Sequence, residues 1–308
     1  MRTGARAVAW SAALSAVLVV VTLVSATVGP VSVDLPTVAK ASLNAVGVPT
    51  SVSLSVEGLS AFGVRVPMPA VRTEYTYLFD FPVDRTAETI VRRIRLPRIV
   101  LGAVVGFALA SAGTVMQGFF RNPMADPSII GVSSGAAVGA VATIALSVSG
   151  PFGLQLAAFL GAVLTAFAVY LIATEGGRTP VATLLLAGVA VQTFLGAVIS
   201  YTLLQAGESL DRAVFWLMGH LNNSTWAEVE VTLPLALLAV GVLYAYAHDL
   251  NVLLMGEADA HALGIEVERT KRLLLALSSV VTAAAVAVAG VIGFVGLIVP
   301  HAMRLLVG

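Results

Sequence analysis

Windows of about 20 apolar, nearly uncharged residues, each long enough to span a bilayer, return along most of this 308-residue chain. At about 1.5 Å per residue, such a window forms a helix of about 30 Å, which matches the hydrocarbon core of a bilayer. Lipid offers no water to backbone amides and carbonyls, so a window of this kind crosses as a helix that satisfies its own hydrogen bonds. The pattern predicts spans at 8–29, 99–120, 129–149, 154–173, 181–205, 229–248 and 273–292, with an eighth from 293 to the end. The expected fold class is therefore all-α, a single polytopic membrane helix bundle. Charge agrees: 11% of residues are charged, against roughly 25% in soluble domains.

Residues 7–29 follow Arg2 and Arg6 and invite a second reading as a secretory signal. We favour a retained first span, because the apolar run exceeds the usual 7 to 15 residues of a signal core (about half this length) and further spans follow. With Arg2 and Arg6 in the cytoplasm, alternation puts Arg121, Arg178 and the Arg269, Lys271, Arg272 group on the same side, while the opposite loop at 150–153 has no base. Residues 30–94 then form an extracytoplasmic loop. Within it, apolar and polar residues alternate around Glu57-Gly58, which suggests a small hairpin, with a linker as the alternative. Further on, Asp84 can cap a helix with Ile90, Val91 and Ile94 on one side and Arg92, Arg93 and Arg95 exposed. Leu96-Pro97 should end that helix before the second span begins.

Composition excludes several chemistries. The net charge is zero and there is no cysteine, so a disulfide framework, a thiolate zinc site and an iron–sulfur site are ruled out. No long basic block points to nucleic acid. No G-x-x-x-x-G-K-[ST] loop is present, and Lys40 and Lys271 are the only lysines, so the chain itself is not expected to be an enzyme that hydrolyses nucleotide.

Three polar or small-residue clusters stand out. Gly131, Gly135 and Gly139 recur at intervals of four and suggest a helix-packing seam. The stretch 117–136 places Gln117, Arg121, Asn122, Pro123 and Asp126 at a helix junction, which either lines a polar path or forms a capped turn with Asp126 as the cap of the third span. GEADAHALGIEVERTKR at 256–272 interrupts two apolar stretches. Gly256, Ala258, Ala260, Ala262 and Gly264 permit close approach by another protein, Glu257, Asp259 and His261 offer polar contacts, and Gly264 can end a short helix. Metal binding at Asp259 and His261 is disfavoured, because two ligands do not close a site. Arg269, Lys271 and Arg272 read as headgroup anchors. Gln192, Thr193 and Ser200 in the fifth span face either a path or a neighbouring helix, and Arg304 in the last apolar stretch is expected to snorkel to the cytoplasmic surface. A faint repeat pairs Ala112-Gly113 and Pro123 with Ala289-Gly290 and Pro300 at equal spacing, as in transporters built from two related halves.

Four ordered blocks carry a resemblance: RLPR at 95–98, AGTVMQGFFRNPMADPSIIGVSSGA at 112–136, GEADAHALGI at 256–265 and GFVGLIVPHAMRLLVG at 293–308. Together they resemble the vitamin B12, iron-siderophore and haem permease family of binding-protein-dependent ABC importers. The resemblance implies a homodimeric permease with the solute path between its copies, two cytoplasmic ATPase subunits that hold the ATP and magnesium, and an extracytoplasmic substrate-binding protein. No cofactor is implied on this chain. It further implies that 249–272 is the cytoplasmic coupling loop, with Gly256, Glu257, Ala258, Asp259, Ala260, His261, Leu263 and Gly264 seated on the ATPase. It implies that Arg95 and Arg98 engage the binding protein, and that Gln117, Arg121, Asn122, Pro123, Asp126, Gln192, Pro300 and His301 belong to the path or its junctions. The stretch 44–80 looks like an insertion. Relatives of this kind usually continue with two further spans, whereas this sequence stops at Gly308, giving eight of ten. The cargo expected is cobalamin or an iron-siderophore, with haem as the alternative. The rival from another class is an ion-coupled secondary transporter, which usually carries acidic residues or histidines at the midplane; the first seven predicted spans offer none there.

Overall fold

A computed structural model describes residues 2–61, 64–147 and 153–307. In chain order these form α1 (Arg2–Thr27), α2 (Leu35–Asn44), the antiparallel strands β1 (Gly47–Ala61) and β2 (Val64–Tyr77), α3 (Arg85–Thr89), a π-helical stretch (Ile90–Arg95) and α4 (Leu96–Phe119). There follow a 3₁₀ turn (Pro127–Ile130), α5 (Val132–Ala145), α6 (Gly153–Ala173), α7 (Val181–Gln205), α8 (Leu210–Leu217), α9 (Trp226–Ala245), α10 (Ala247–Met255), α11 (Glu257–Ala262), α12 (Val267–Ala289) and α13 (Val295–Val307). The fold is all-α apart from the hairpin. Among the described residues, six helices are long and apolar enough to cross a membrane, and α5 and α13 are shorter apolar helices. The link expected at 150–153 lies, except for Gly153, outside the described residues.

α12 is the most enclosed span. It packs on α4, α6 and α9, and its TAAAVAVA run keeps side chains short enough for several neighbours to approach at once. The α5–α6 pair is closer still. A Cβ at Gly135 would stand 2.3 Å from the Gly161 carbonyl oxygen, and one at Gly139 2.1 Å from that of Ala157. Gly131 does a different job from its two partners in the expected seam: it precedes α5 with φ +82° and turns the chain out of the 3₁₀ segment.

Asp84 caps α3 as expected, accepting from the amides of Thr86 and Ala87 at 2.9 and 3.2 Å. Those bonds, Ala87 first, hold its carboxyl below the usual carboxylate range, and the Thr37 hydroxyl and amide do the same for Asp34 at the start of α2. The expected break at Leu96-Pro97 does not occur. An α-helix would drive the Pro97 ring against the Arg93 carbonyl four residues back. Instead the turn widens, the Leu96 amide bonds to the Val91 carbonyl five residues back, and the helix runs on into α4.

The wide turn also rotates the downstream residues by about 100° relative to a continuous α-helix. Ile94, expected inside, is 59% exposed, while Arg95, expected outside, is buried. Arg92 is half-buried as well, paired with Glu88 at 2.7 Å and lying over the Tyr77 ring. α1, α2 and this segment share a small apolar cluster of Ala26, Val33, Val38, Ala41, Val91 and Leu96.

The hairpin is longer than expected. Glu57 pairs with Met68 and Gly58 with Pro67 inside the ladder, which runs on to Ala61 opposite Val64. Asn44 holds its base, exchanging two hydrogen bonds with the Phe81 backbone at 2.8 and 2.9 Å. The expected repeat has no common structure: Gly113 lies mid-α4 and Gly290 follows α12, while Pro123 sits in a turn and Pro300 inside α13.

Candidate functional site

The segment 247–272 folds as α10, α11 and the first turns of α12. α10 ends at Gly256, whose φ of +146° is a backbone conformation open to glycine, and α11 starts at once at a new angle. α11 ends in a Schellman motif: the Gly264 amide bonds to the His261 carbonyl, the Ile265 amide to that of Ala260, both at 3.0 Å, with Gly264 at φ +84°. Only Ala260 of α11 is buried against the bundle. Glu257, Ala258, Asp259, His261, Leu263 and Gly264 are exposed, and the flanking Met255 and Leu263 show about two thirds of their surface (68% and 64%). The result is a short, exposed knob with small residues on its flanks and apolar side chains at both ends.

Two side chains fasten this knob, a role that sequence reasoning missed for both. The Arg121 guanidinium donates to the Leu253 carbonyl at 2.6 Å, just before Gly256. Lys271, expected at the headgroups, is buried instead, with Nζ bonded to Thr179 O (2.7 Å), Glu268 (3.0 Å) and Glu257 (3.1 Å). An isolated ammonium could not remain there, and three acceptors use all three of its protons. Arg269 and Arg272 do stay exposed. Glu257 is therefore not free: its carboxylate belongs to Lys271. Beside this cluster lies a cavity of about 630 Å³, walled by Phe119, Phe120, Arg121, Arg178, Leu253 and Lys271 among others.

The junction residues serve as joints between elements. Pro300 lacks an amide proton, so within α13 the Gly296 carbonyl has no donor four residues on. Gln117 Nε2 reaches that carbonyl at 3.3 Å and the Leu297 carbonyl at 3.0 Å, while its oxygen accepts from Arg304. Arg304, though exposed, is thus tied to α4 rather than simply extended to a surface. The crossing is tight: a Cβ at Gly113 would lie 1.9 Å from the Gly296 oxygen. Asn122 closes its own turn onto the Met124 amide, and Pro123 and His301 are exposed. Asp126 caps the 3₁₀ turn through Ser128 at 2.8 Å, not the third span, whose cap is Gly131. Gln192 donates to Ile129 O at 2.6 Å and so ties α7 to that turn; Thr193 and Ser200 bond only within α7.

The two arginines expected to dock a partner part company. Arg98 is exposed, but Arg95 is turned inward, donating to Ala26 O at 2.6 Å and to Val31 O, where it staples the end of α1 to the start of α4. In this structure Arg95 has no face to offer a second protein.

A bundle of helices of membrane-spanning length, with one short, exposed, glycine-bounded knob, defines a polytopic membrane protein. Residues 17–308 match the FecCD transport family. The cobalamin import system permease protein of Halobacterium salinarum is 58% identical over 99% of this chain and 83% of its own length. The hemin transport system permease protein of Yersinia pestis is 37% identical over 78% and 74%, respectively. A solved structure of an ABC transporter of metal-chelate type, inward-facing, has a TM-score of 0.76 and 29% identity, covering 96% of this chain and 80% of that one. The chain belongs to the FecCD transport family. It is the multi-pass membrane permease component of an ABC importer, a transport subunit rather than an enzyme, and works with an ATPase and a substrate-binding protein.

Proposed function

We propose that this chain forms a homodimeric permease, with its N-terminus in the cytoplasm, that imports cobalamin, driven by two ATPase subunits that carry the ATP and magnesium. The observation that carries the cargo is the 58% identity to a cobalamin permease across nearly the whole chain, outer hairpin included, against 37% over 78% for the haem permease. α11 is the coupling helix. Its exposed small and polar residues, Ala258, Asp259, His261, Ala262 and Gly264, meet a groove in the ATPase, and Met255 and Leu263 supply apolar contact. Arg98 engages a carboxylate of the binding protein, for which a planar, permanently charged fork is suited. Closure of the ATPase dimer on ATP pulls the two α11 knobs and changes which side of the permease is open. Cargo and nucleotide act by binding one state better than the other. The test is uptake of labelled cobalamin, haem and ferric siderophores in cells lacking and regaining this gene. Loss and recovery of cobalamin uptake alone is expected; loss of haem or siderophore uptake with cobalamin unaffected would contradict the assignment.

A further inference from the structure

Lys271 joins three elements through one ammonium group. It sits in the first turns of α12, its carboxylate partner Glu257 is the first residue of α11, and Thr179 lies two residues before α7 begins. Thr179 is 2% exposed and is gripped at both backbone poles: its carbonyl accepts from Lys271, and its amide donates to Glu268 at 3.2 Å. Glu268 and Lys271 are one turn apart and bonded to each other at 3.0 Å, so α12 holds the start of α7 as a two-pronged clamp. The same ammonium reaches across to α11.

What surrounds this cluster matters as much as its bonds. The 630 Å³ cavity adjoins Glu257, Glu268 and Lys271, so on that side α11 has a void beside it instead of apolar packing. Gly256, immediately before Glu257, is the backbone joint that sets the angle between α10 and α11. On the far side of that joint Arg121 holds α10 at Leu253. A load applied to α11 therefore reaches α10 and α12 through the backbone on either side and through buried Ala260, but reaches the start of α7 through the polar link at Lys271. α7 is also, apart from α1, the span with the smallest enclosed share, 17% of its apolar window. Most of its surface is not enclosed by the rest of the chain, which leaves it room to move.

We propose that Lys271 is the positioning residue that delivers motion of α11 to the start of α7, so that without it the ATPase turns over while α7 no longer follows. This rests on the reading of α11 as the coupling helix. The test uses the full complex, permease with ATPase and binding protein, in proteoliposomes, and reads cobalamin accumulated per ATP hydrolysed. Lys271→Met strands two carboxylates, so it is paired with the triple variant Lys271→Met, Glu257→Gln, Glu268→Gln, which keeps the shapes and leaves no buried charge alone. The expected result is a fall in that ratio on the order of tenfold in assembled complexes of either variant, the size of an ordinary coupling free energy. A residue that merely holds the fold together would lower assembly, uptake and hydrolysis together and leave the ratio where it was. A triple variant that assembles and keeps the wild-type ratio overturns the proposal. A wild-type complex that accumulates cobalamin equally well without ATP overturns the underlying reading, and the proposal with it.

Discussion

At Gly139 a single hydrogen stands where any other residue would place a carbon 2.1 Å from a backbone oxygen of α6. Gly139→Ala should destabilise the α5–α6 pair by about 1–3 kcal/mol, the usual cost of forcing volume into a packed contact. Gly106→Ala on α4, with open space around it, should show no such loss. Thermal unfolding in detergent would separate them, and equal stability of the two variants would argue against the seam. The seam was legible in the sequence because close helix contact in lipid requires small residues at a spacing of four. The partners of Gln117 were not. Its carbonyls lie about 180 positions away in sequence, and only the tertiary fold reveals that Pro300 has left one of them without a donor. Lys271 misled for a related reason: a base beside a span reads as an interface anchor until its acceptors, from three different elements, are brought around it.

On the scale of single elements, the stretch from Asp84 to Phe119 carries the clearest lesson. An α-periodic reading of VRRIRLPR puts Arg95 in solvent, whereas the π turn that accommodates Pro97 puts it in the core. The two arginines of RLPR should then respond differently to mutation. Arg98→Glu should weaken docking of the binding protein, on the order of tenfold for reversal of an interfacial charge, with little effect on stability. Arg95→Met should leave the buried Ala26 carbonyl unpaired at a cost of about 1–3 kcal/mol and release the loop at Val31, seen as faster proteolysis between α1 and α2. Equal loss of docking in both variants, without faster proteolysis of the Arg95 variant, would contradict this division. The hairpin shows the limit of period-2 reading: alternation located the strands, but the turn was placed by glycine where the ladder simply continues.

Across the whole molecule, the eight apolar segments were readable from composition and length alone, since a chain with so little charge has few other ways to satisfy its backbone. On the proposed function, what converts that bundle into a driven importer is one exposed knob, bounded by Gly256 and Gly264, whose small residues leave room for another protein. Its side of the membrane decides the account. The chain has no native cysteine, so Ala258→Cys can be labelled with a membrane-impermeant maleimide in intact cells and in inside-out vesicles. Labelling confined to inside-out vesicles, and blocked when the ATPase subunit is bound, is the predicted result. Labelling of intact cells from outside would place the knob beyond the reach of any ATP-driven partner and contradict the mechanism.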